Sequence, residues 1–123
     1  MSTTDFHTDN VSFAAADDLS AYQFRFLTLT GTDEVDIVSA ATDRVVGVLQ
    51  NKPAAAGRGA AVAVVGVIKM QAGGAITAGD PFKTNATGFA VAASSGDYGI
   101  LGLAYTTVAS GGYFRGYFSP TRN

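Results

Sequence analysis

The 123-residue sequence contains no cysteine and only one histidine, His7. The absence of cysteine excludes a disulfide framework, a thiolate nucleophile and a metal site built on sulfur. The fold must therefore rest on buried apolar surface and on hydrogen bonds. A chain of this length forms one domain and can bury roughly two thirds of the surface that it exposes when unfolded.

Charged side chains are scarce at 15% of the residues, whereas apolar ones make up 47% and glycine occurs 15 times. This composition excludes a disordered chain, which has few apolar residues, and a helical bundle, because each interior glycine weakens a helix. No apolar run approaches the roughly 20 residues of a membrane-spanning helix, and the first residues lack the basic start and apolar core of a signal peptide. We therefore expect synthesis and retention in a cytoplasm, without a membrane partner.

The net charge of −2 conceals a strong asymmetry along the chain. Residues 1–43 hold eight acidic side chains and one basic one, whereas residues 44–123 hold two acidic and seven basic ones, so the two parts carry −7 and +5. The basic residues are scattered singly rather than clustered, which argues against a nucleic-acid surface. Complementary charge between neighbouring copies, or toward a larger protein surface, is the preferred interpretation.

Residues 1–20 differ from the rest of the chain because they contain no glycine, no basic side chain and no regular apolar period. The first residues of a domain are often frayed, but Phe6 and Phe13 are costly to leave in water unless something covers them. We therefore predict that residues 1–20 form an extended arm that orders on a partner, and that residues 21–123 form the folded domain.

From Tyr22 onward apolar and polar residues alternate, and the apolar face changes side partway along the run, which indicates a bulge or a strand that moves between sheets. Residues 60–70 are apolar at nearly every position, as expected of a strand buried on both faces. Turn residues at 85–88 predict a hairpin over residues 82–92. Turns recur about every ten residues, so the sequence predicts an all-β fold, a small single-domain barrel or sandwich.

Segment 66–82 is the predicted scaffold of this domain. An apolar strand runs into a glycine-rich turn and then into a tight corner that starts the next strand. Nothing in the segment has the composition of a reaction centre. The residues predicted to hold the shape of the corner are Gly73, Gly74, Gly79, Asp80 and Pro81.

No motif in the chain carries enzyme chemistry. His7 has no partner in sequence to orient it as a general base, and Asp17 and Asp18 lack the further oxygen ligands and the glycine turn of a cation-binding loop. The serines at 94–95 belong to a turn rather than to a hydrolase elbow, and Gly57-Arg58-Gly59 is too short for a phosphate loop. We therefore predict no catalytic residue, no cofactor and no metal.

The aromatic run at residues 113–118 is the remaining candidate for binding. A sheet of aromatic side chains can stack nucleic-acid bases, but Arg115 is the only cation in this run. Core packing or subunit contact is the preferred interpretation, and no specific nucleic acid is predicted as a partner.

Five segments, in this order and spacing, resemble the capsid cement proteins of bacteriophages, which are also called head decoration proteins. The segments cover most of the predicted barrel and are 46–57 (VGVLQNKPAAAG), 61–69 (AVAVVGVIK), 75–81 (AITAGDP), 87–90 (TGFA) and 102–104 (GLA). The aromatic run at 113–118 lies beyond the resemblance.

The resemblance implies a small β-tulip-like barrel that clusters as a homotrimer on the outside of an icosahedral head and clamps neighbouring major capsid subunits. It also implies synthesis in the host bacterial cytoplasm and an N-terminal arm that adds a strand to the capsid lattice. The residues expected to contact the capsid are Phe6, Val11, Phe13, Asp17 and Asp18.

Two other functions stay open. One is a structural barrel associated with a tail or fibre, whose arm pairs with neighbouring copies. The other is a barrel that binds a glycan or the host surface through exposed tyrosines such as Tyr98, Tyr105 and Tyr113.

Overall fold

The computed structural model describes residues 8–94, 97 and 99–120, and these residues form nine β-strands with loops and turns between them. No helix occurs among these residues, so none there could cross a membrane as a helix, and the all-β prediction is confirmed. The strands are β1 (Thr8–Ala15), β2 (Phe26–Gly31), β3 (Glu34–Ile37), β4 (Gly47–Leu49), β5 (Gly59–Gln71), β6 (Pro81–Thr84), β7 (Ala90–Ala92), β8 (Gly102–Ala104) and β9 (Tyr113–Phe118).

Five of the strands close into a barrel in the order β1-β3-β2-β4-β5, because β1 also pairs with β5. The other four strands extend from β5 in the order β9-β8-β6-β7. The 13-residue β5 belongs to both parts. Its first part pairs with β1 and β4, and its last part, from Gly66 to Gln71, pairs with β9. β5 matches the strand predicted at residues 60–70.

Two hydrophobic cores lie on opposite sides of the barrel wall formed by β2, β4 and β5. Neighbouring residues of one strand enter different cores: Phe26 packs in the core beneath the second sheet, whereas Leu27 packs inside the barrel. On β5, Val62 likewise packs inside the barrel, whereas Ala63 packs in the core beneath the second sheet. The first part of β5 is therefore buried on both faces, as its continuous apolar run predicts. The last part is buried on one face only, since Lys69 is exposed.

Four phenylalanines join the second sheet to the barrel. The Phe26 ring stacks on Phe82 and Phe118 with centroid distances of 6.2 and 5.9 Å. Phe82 also meets Phe114 edge to face at 5.4 Å. Aromatic pairs of this kind contribute about 0.5–1.5 kcal/mol each beyond the area that they bury. Strand β9, whose position the sequence leaves open, therefore lies within the fold.

Strand β1 closes the barrel and is not part of a separate arm. It pairs antiparallel with β5 from Thr8 to Ala14, and Ala15 and Leu19 are fully buried in the barrel core. The prediction of an arm distinct from the barrel is therefore corrected over residues 8–20; residues 1–7 lie outside the described residues. The physical reason is that β1 supplies backbone partners to the edge of β5, a non-local pairing that the local apolar pattern does not encode.

Hydrogen bonds from Asn51 fix the loop between β4 and β5, the segment with the most distinctive motif in the sequence. The Asn51 amide donates to the Gly59 carbonyl and accepts from the Ala61 N–H, both at 3.0 Å. Pro53 is buried in the same loop, and its carbonyl accepts from the Leu19 N–H at 2.9 Å. The motif is therefore structural and ties the residues after β1 to the start of β5.

The predicted corner before β6 contains one glycine with a left-handed backbone and one at a close approach. Gly79 has a φ of +95°, and the Asp80 carboxylate accepts from the Thr77 N–H at 3.0 Å. A Cβ on Gly73 would lie 2.7 Å from the Cβ of Phe89. Gly74 has room for a side chain, and Pro81 is the first residue of β6.

We predict that Gly102→Ala destabilises the protein by about 1–3 kcal/mol, as overpacking of a tight contact does. A Cβ at Gly102 would overlap the carbonyl oxygen of Tyr117 across the β8–β9 pair. The control is Gly59→Ala, whose Cβ would lie 3.7 Å from the Ser12 hydroxyl and should change stability by less than about 1 kcal/mol. Denaturant unfolding measures both, and equal midpoints for the two variants would contradict the prediction.

A second prediction concerns Asp97. The Ser94 N–H and the Lys83 ammonium donate to its carboxylate at 2.9 and 3.1 Å, and these bonds lower the pKa of Asp97 below its ordinary value of 3.8. A depressed pKa in the folded state means that this stabilisation is present above pH 3.8 and is lost as the pH falls through the lowered pKa. The difference in unfolding free energy between the wild type and Asp97→Asn should therefore shrink below pH 3.8. A difference that is the same at pH 2 and pH 7 would refute this role.

Candidate interaction surfaces

The structure places three of the five predicted capsid-contact residues at the surface. Val11 on β1 is 44% exposed, and Asp17 and Asp18 are exposed after β1. Phe13 is half-buried and packs against the barrel core, so it anchors β1 to the barrel. Phe6 lies outside the described residues.

One edge of β1 has no partner among the described strands over most of its length. β5 occupies the other edge, and β3 pairs with β1 only at Ala14 and Ala15. Among the described strands, none pairs with the segment from Asp9 to Phe13 on the β3 side. Unpaired N–H and C=O groups on a strand edge are a template for an added strand.

Acidic side chains are concentrated where β1 and β3 run parallel. The Ala14 N–H donates to the Asp33 carbonyl at 2.8 Å, which fixes the β2–β3 turn against β1. The Asp18 carboxylate accepts from the Ser20 hydroxyl at 2.6 Å and from the Ser20 N–H at 3.0 Å, and these bonds lower the pKa of Asp18. We call the three carboxylates on the β2–β3 hairpin, Asp33, Glu34 and Asp36, the acidic hairpin.

The side of the second sheet that faces away from the phenylalanine core carries a contiguous group of large side chains. Their positions follow from the register, which pairs Tyr117 with Leu103 and Arg115 with Lys69 on one face. Four of these side chains are 41–51% exposed, namely Leu103, Tyr105, Tyr113 and Tyr117. We call the set of six residues the outer sheet face: Lys69, Leu103, Tyr105, Tyr113, Arg115 and Tyr117.

Aromatic rings hold the Lys69 ammonium in place. Its Nζ lies 4.8 Å from the ring centroids of both Phe24 and Tyr113, which meet edge to face at 5.7 Å. Phe24 has a left-handed backbone with a φ of +69°, an uncommon conformation for a bulky residue. Backbone hydrogen bonds to Leu49 and from Gln71 stabilise it. The fold therefore preorganises one cation at the border of the outer sheet face.

Arg115 lies directly opposite Lys69 in the β5–β9 pair. Its guanidinium lies 5.6 Å from the ring centroid of Tyr105. Like charges directly opposite one another destabilise a sheet, and contacts with aromatic rings offset part of that repulsion. The arrangement concentrates positive charge on the outer sheet face.

A third cation, Arg25, has a structural role. Its guanidinium lies 3.8 Å from the ring centroid of Phe89 and 5.2 Å from that of Tyr22. Its buried Nε has no hydrogen-bond partner within the described part of the chain. Arg25 therefore joins the start of β2 to the residues before β7.

The strands themselves divide by charge. The strands β1 to β4 contain three carboxylates, Asp9, Glu34 and Asp36, and no basic residue. The strands β5 to β9 contain three cations, Lys69, Lys83 and Arg115, and no acidic residue. The charge asymmetry in the sequence therefore becomes an asymmetry between the barrel and the second sheet.

The described part of the chain contains no group of three or more acidic, histidine or cysteine side chains that could hold a metal ion. His7 and Tyr98 lie outside that part. Sequence reasoning identified Tyr105 and Tyr113 as exposed but missed the outer sheet face as a unit. The alternating side chains of residues 113–118 were the available signal for β9. The position of Lys69 beside the tyrosines of β9 depends on the β5–β9 register, which the local sequence does not encode.

No curated protein sequence matches the chain. A solved structure, the head fibre gp8.5 N base of bacteriophage phi29, has a similar fold with a TM-score of 0.64 and 18% sequence identity. The similarity covers 95% of this chain and 100% of that one, and at this identity it shows the fold alone. The sequence model of a family described as phage cement protein matches residues 6–117. This range includes all nine described strands except Phe118, the last residue of β9. The chain therefore belongs to the phage cement protein family and is a phage structural protein.

Proposed function

We propose that this protein is a non-enzymatic decoration protein that binds the outer surface of the phage head as a homotrimer and stabilises contacts between major capsid subunits. The observation that carries the proposal is the family match, which spans the closed barrel and nearly all of the second sheet. Membership of a family of phage structural proteins supports a role in the virion that involves no enzyme activity.

The unpaired edge of β1 is the proposed capsid contact. A strand of the major capsid protein adds to this edge, so that main-chain hydrogen bonds supply affinity and side chains supply specificity. The 44% exposed side chain of Val11 lies in the middle of the edge segment, and Asp17 and Asp18 follow β1 as charged contacts for a basic capsid surface. Phe6 contributes an apolar anchor before the strand, and Phe13 contributes indirectly by holding β1 to the barrel.

The barrel makes this contact effective because it is rigid and repeated. β1 is held by β5 over seven residue pairs, so little conformational entropy is lost when its edge binds. A trimer presents three such edges on one particle. After the first edge binds, the other two bind intramolecularly, and the total affinity exceeds that of any single contact.

A role as the base of a fibre is the second candidate, which the similarity in fold to a head fibre base favours. The size of the isolated protein distinguishes the two functions. A small oligomer in solution supports the decoration role, whereas a large ordered assembly without heads supports the fibre role.

We predict that Val11→Glu weakens binding to undecorated heads at least about tenfold, equivalent to roughly 1.4 kcal/mol, because it replaces an apolar edge contact with a charge. The matched control is Leu29→Glu, at an apolar position on β2 that is 52% exposed. Occupancy of purified heads, titrated by quantitative mass spectrometry, measures both, and unchanged melting temperatures show that both variants fold. Equal occupancy for the wild type and Val11→Glu would rule out the β1 edge.

Removal of residues 1–7 tests the contribution of Phe6 separately, because that deletion keeps all of β1. A longer deletion, through residue 20, would also remove Ala15 and Leu19 from the barrel core. We expect the short deletion to fold and to occupy heads less fully at subsaturating concentration. Full occupancy at the wild-type concentration would exclude Phe6 as an anchor.

A further inference from the structure

We propose that the outer sheet face is a self-association surface that binds the acidic hairpin of a second copy. The proposal rests on the homo-oligomer of the proposed function, and it identifies the contact that holds that oligomer together. The outer sheet face lies on β5, on β9 and on β8 with the residue that follows it, whereas the acidic hairpin lies on β3 and the preceding turn. The contact is therefore heterologous. Contacts of this kind close into a ring when the rotation between copies permits it.

The composition of the outer sheet face is that of a protein interface. Its three tyrosines and Leu103 are each 41–51% exposed, and they lie on β9, on the adjacent β8 and, for Tyr105, directly after β8. Tyrosine and arginine are enriched among the residues that dominate binding energy at interfaces. A contiguous exposed apolar patch on a soluble domain marks an interaction site.

Leu103 favours a protein partner over a glycan or a nucleic acid. It pairs with Tyr117 on one side and with Pro81 on the other. Leu103 and Pro81 have no side-chain donor for sugar hydroxyls or phosphates, so the middle of the face is mainly apolar. The two cations lie side by side toward β5 rather than in the row that a nucleic-acid backbone requires. An apolar centre with a charged border fits the anatomy of a protein interface.

The cations of the outer sheet face specify an acidic partner. Lys69 and Arg115 are cross-strand neighbours, and repulsion between them is relieved when a carboxylate of a partner approaches both. The rings of Phe24 and Tyr113 already hold the Lys69 ammonium, so little side-chain entropy is lost on binding.

The chain itself supplies the complementary surface. Asp33 is exposed at the β2–β3 turn, and Glu34 and Asp36 are partly exposed beside it. Thr30 donates to the Glu34 carboxylate at 3.0 Å and the Ile37 N–H donates to the Asp36 carboxylate at 2.8 Å, which orients both acids. Strands β1 to β4 carry only acidic charge and strands β5 to β9 only basic charge, so opposite charges meet when the two faces of neighbouring copies dock.

Charge reversal tests the contact in the full-length protein without heads. Sedimentation velocity should show an oligomer for the wild type, which dissociates more readily when the salt concentration rises from 0.1 to about 1 M. Lys69→Glu with Arg115→Glu, and separately Glu34→Lys with Asp36→Lys, should each raise the dissociation constant at least about tenfold. The variant with all four changes should recover oligomer, because the attraction is restored with reversed signs.

A matched control reverses two cations away from the outer sheet face. Lys52→Glu with Arg58→Glu changes the net charge by as much as Lys69→Glu with Arg115→Glu does. Both residues are exposed in the β4–β5 loop, Arg58 at its end, so this variant should leave the oligomer intact. Thermal melting shows that every variant folds. A wild type that is monomeric at low salt, or a folded fourfold variant that fails to recover oligomer, would overturn the proposal. A monomeric wild type that binds an anionic polysaccharide column through Lys69 and Arg115 would assign the outer sheet face to a glycan instead.

Head binding of the same variants is measured separately, so that the two proposals fail independently. Oligomer formation that follows the charge pattern without any binding to heads would support the self-association surface and contradict the decoration function. Head binding by a wild type that is monomeric in solution would support decoration of the head and would contradict the self-association surface together with the homotrimer.

Discussion

The whole molecule depends on the double pairing of β5. Its first part closes the barrel through β1 and β4, and its last part carries the second sheet through β9. Because one strand belongs to both units, the barrel wall is buried on both faces, and the phenylalanine contacts between Phe26, Phe82 and Phe118 hold the second sheet against it. A change at β5 therefore affects the proposed capsid-contact edge of β1 and the outer sheet face together.

Local patterns in the sequence predict the strands but not how distant strands pair. The apolar run at 60–70 and the turn at 85–88 each correspond to an observed element, β5 and the β6–β7 hairpin, because apolar periodicity and turn chemistry are encoded locally. The prediction of a separate arm at residues 1–20 did not foresee the pairing of β1 with β5, since residues 8–15 carry no local sign of the β5 edge that they pair with. The outer sheet face was missed for the same reason: Lys69 joins the tyrosines only through the β5–β9 register.

The separation of charge links the fold to the proposed assembly. Acidic strands form the barrel with β5, and basic strands form the second sheet, so a copy presents opposite charges on different elements. In this proposed assembly the edge of β1 binds the capsid, and the outer sheet face and the acidic hairpin bind neighbouring copies. The proposal assigns affinity for the head to repetition of a small contact on a rigid oligomer rather than to one large interface.

The ratio of this protein to the major capsid protein in purified phage heads tests the central claim most directly. Quantitative mass spectrometry of heads, before and after brief surface proteolysis, measures both the ratio and the accessibility of the chain. The decoration function predicts a fixed ratio from one preparation to the next and cleavage of the bound protein while the shell stays intact. Heads that lack the protein, or that protect it fully inside the shell, would contradict the account.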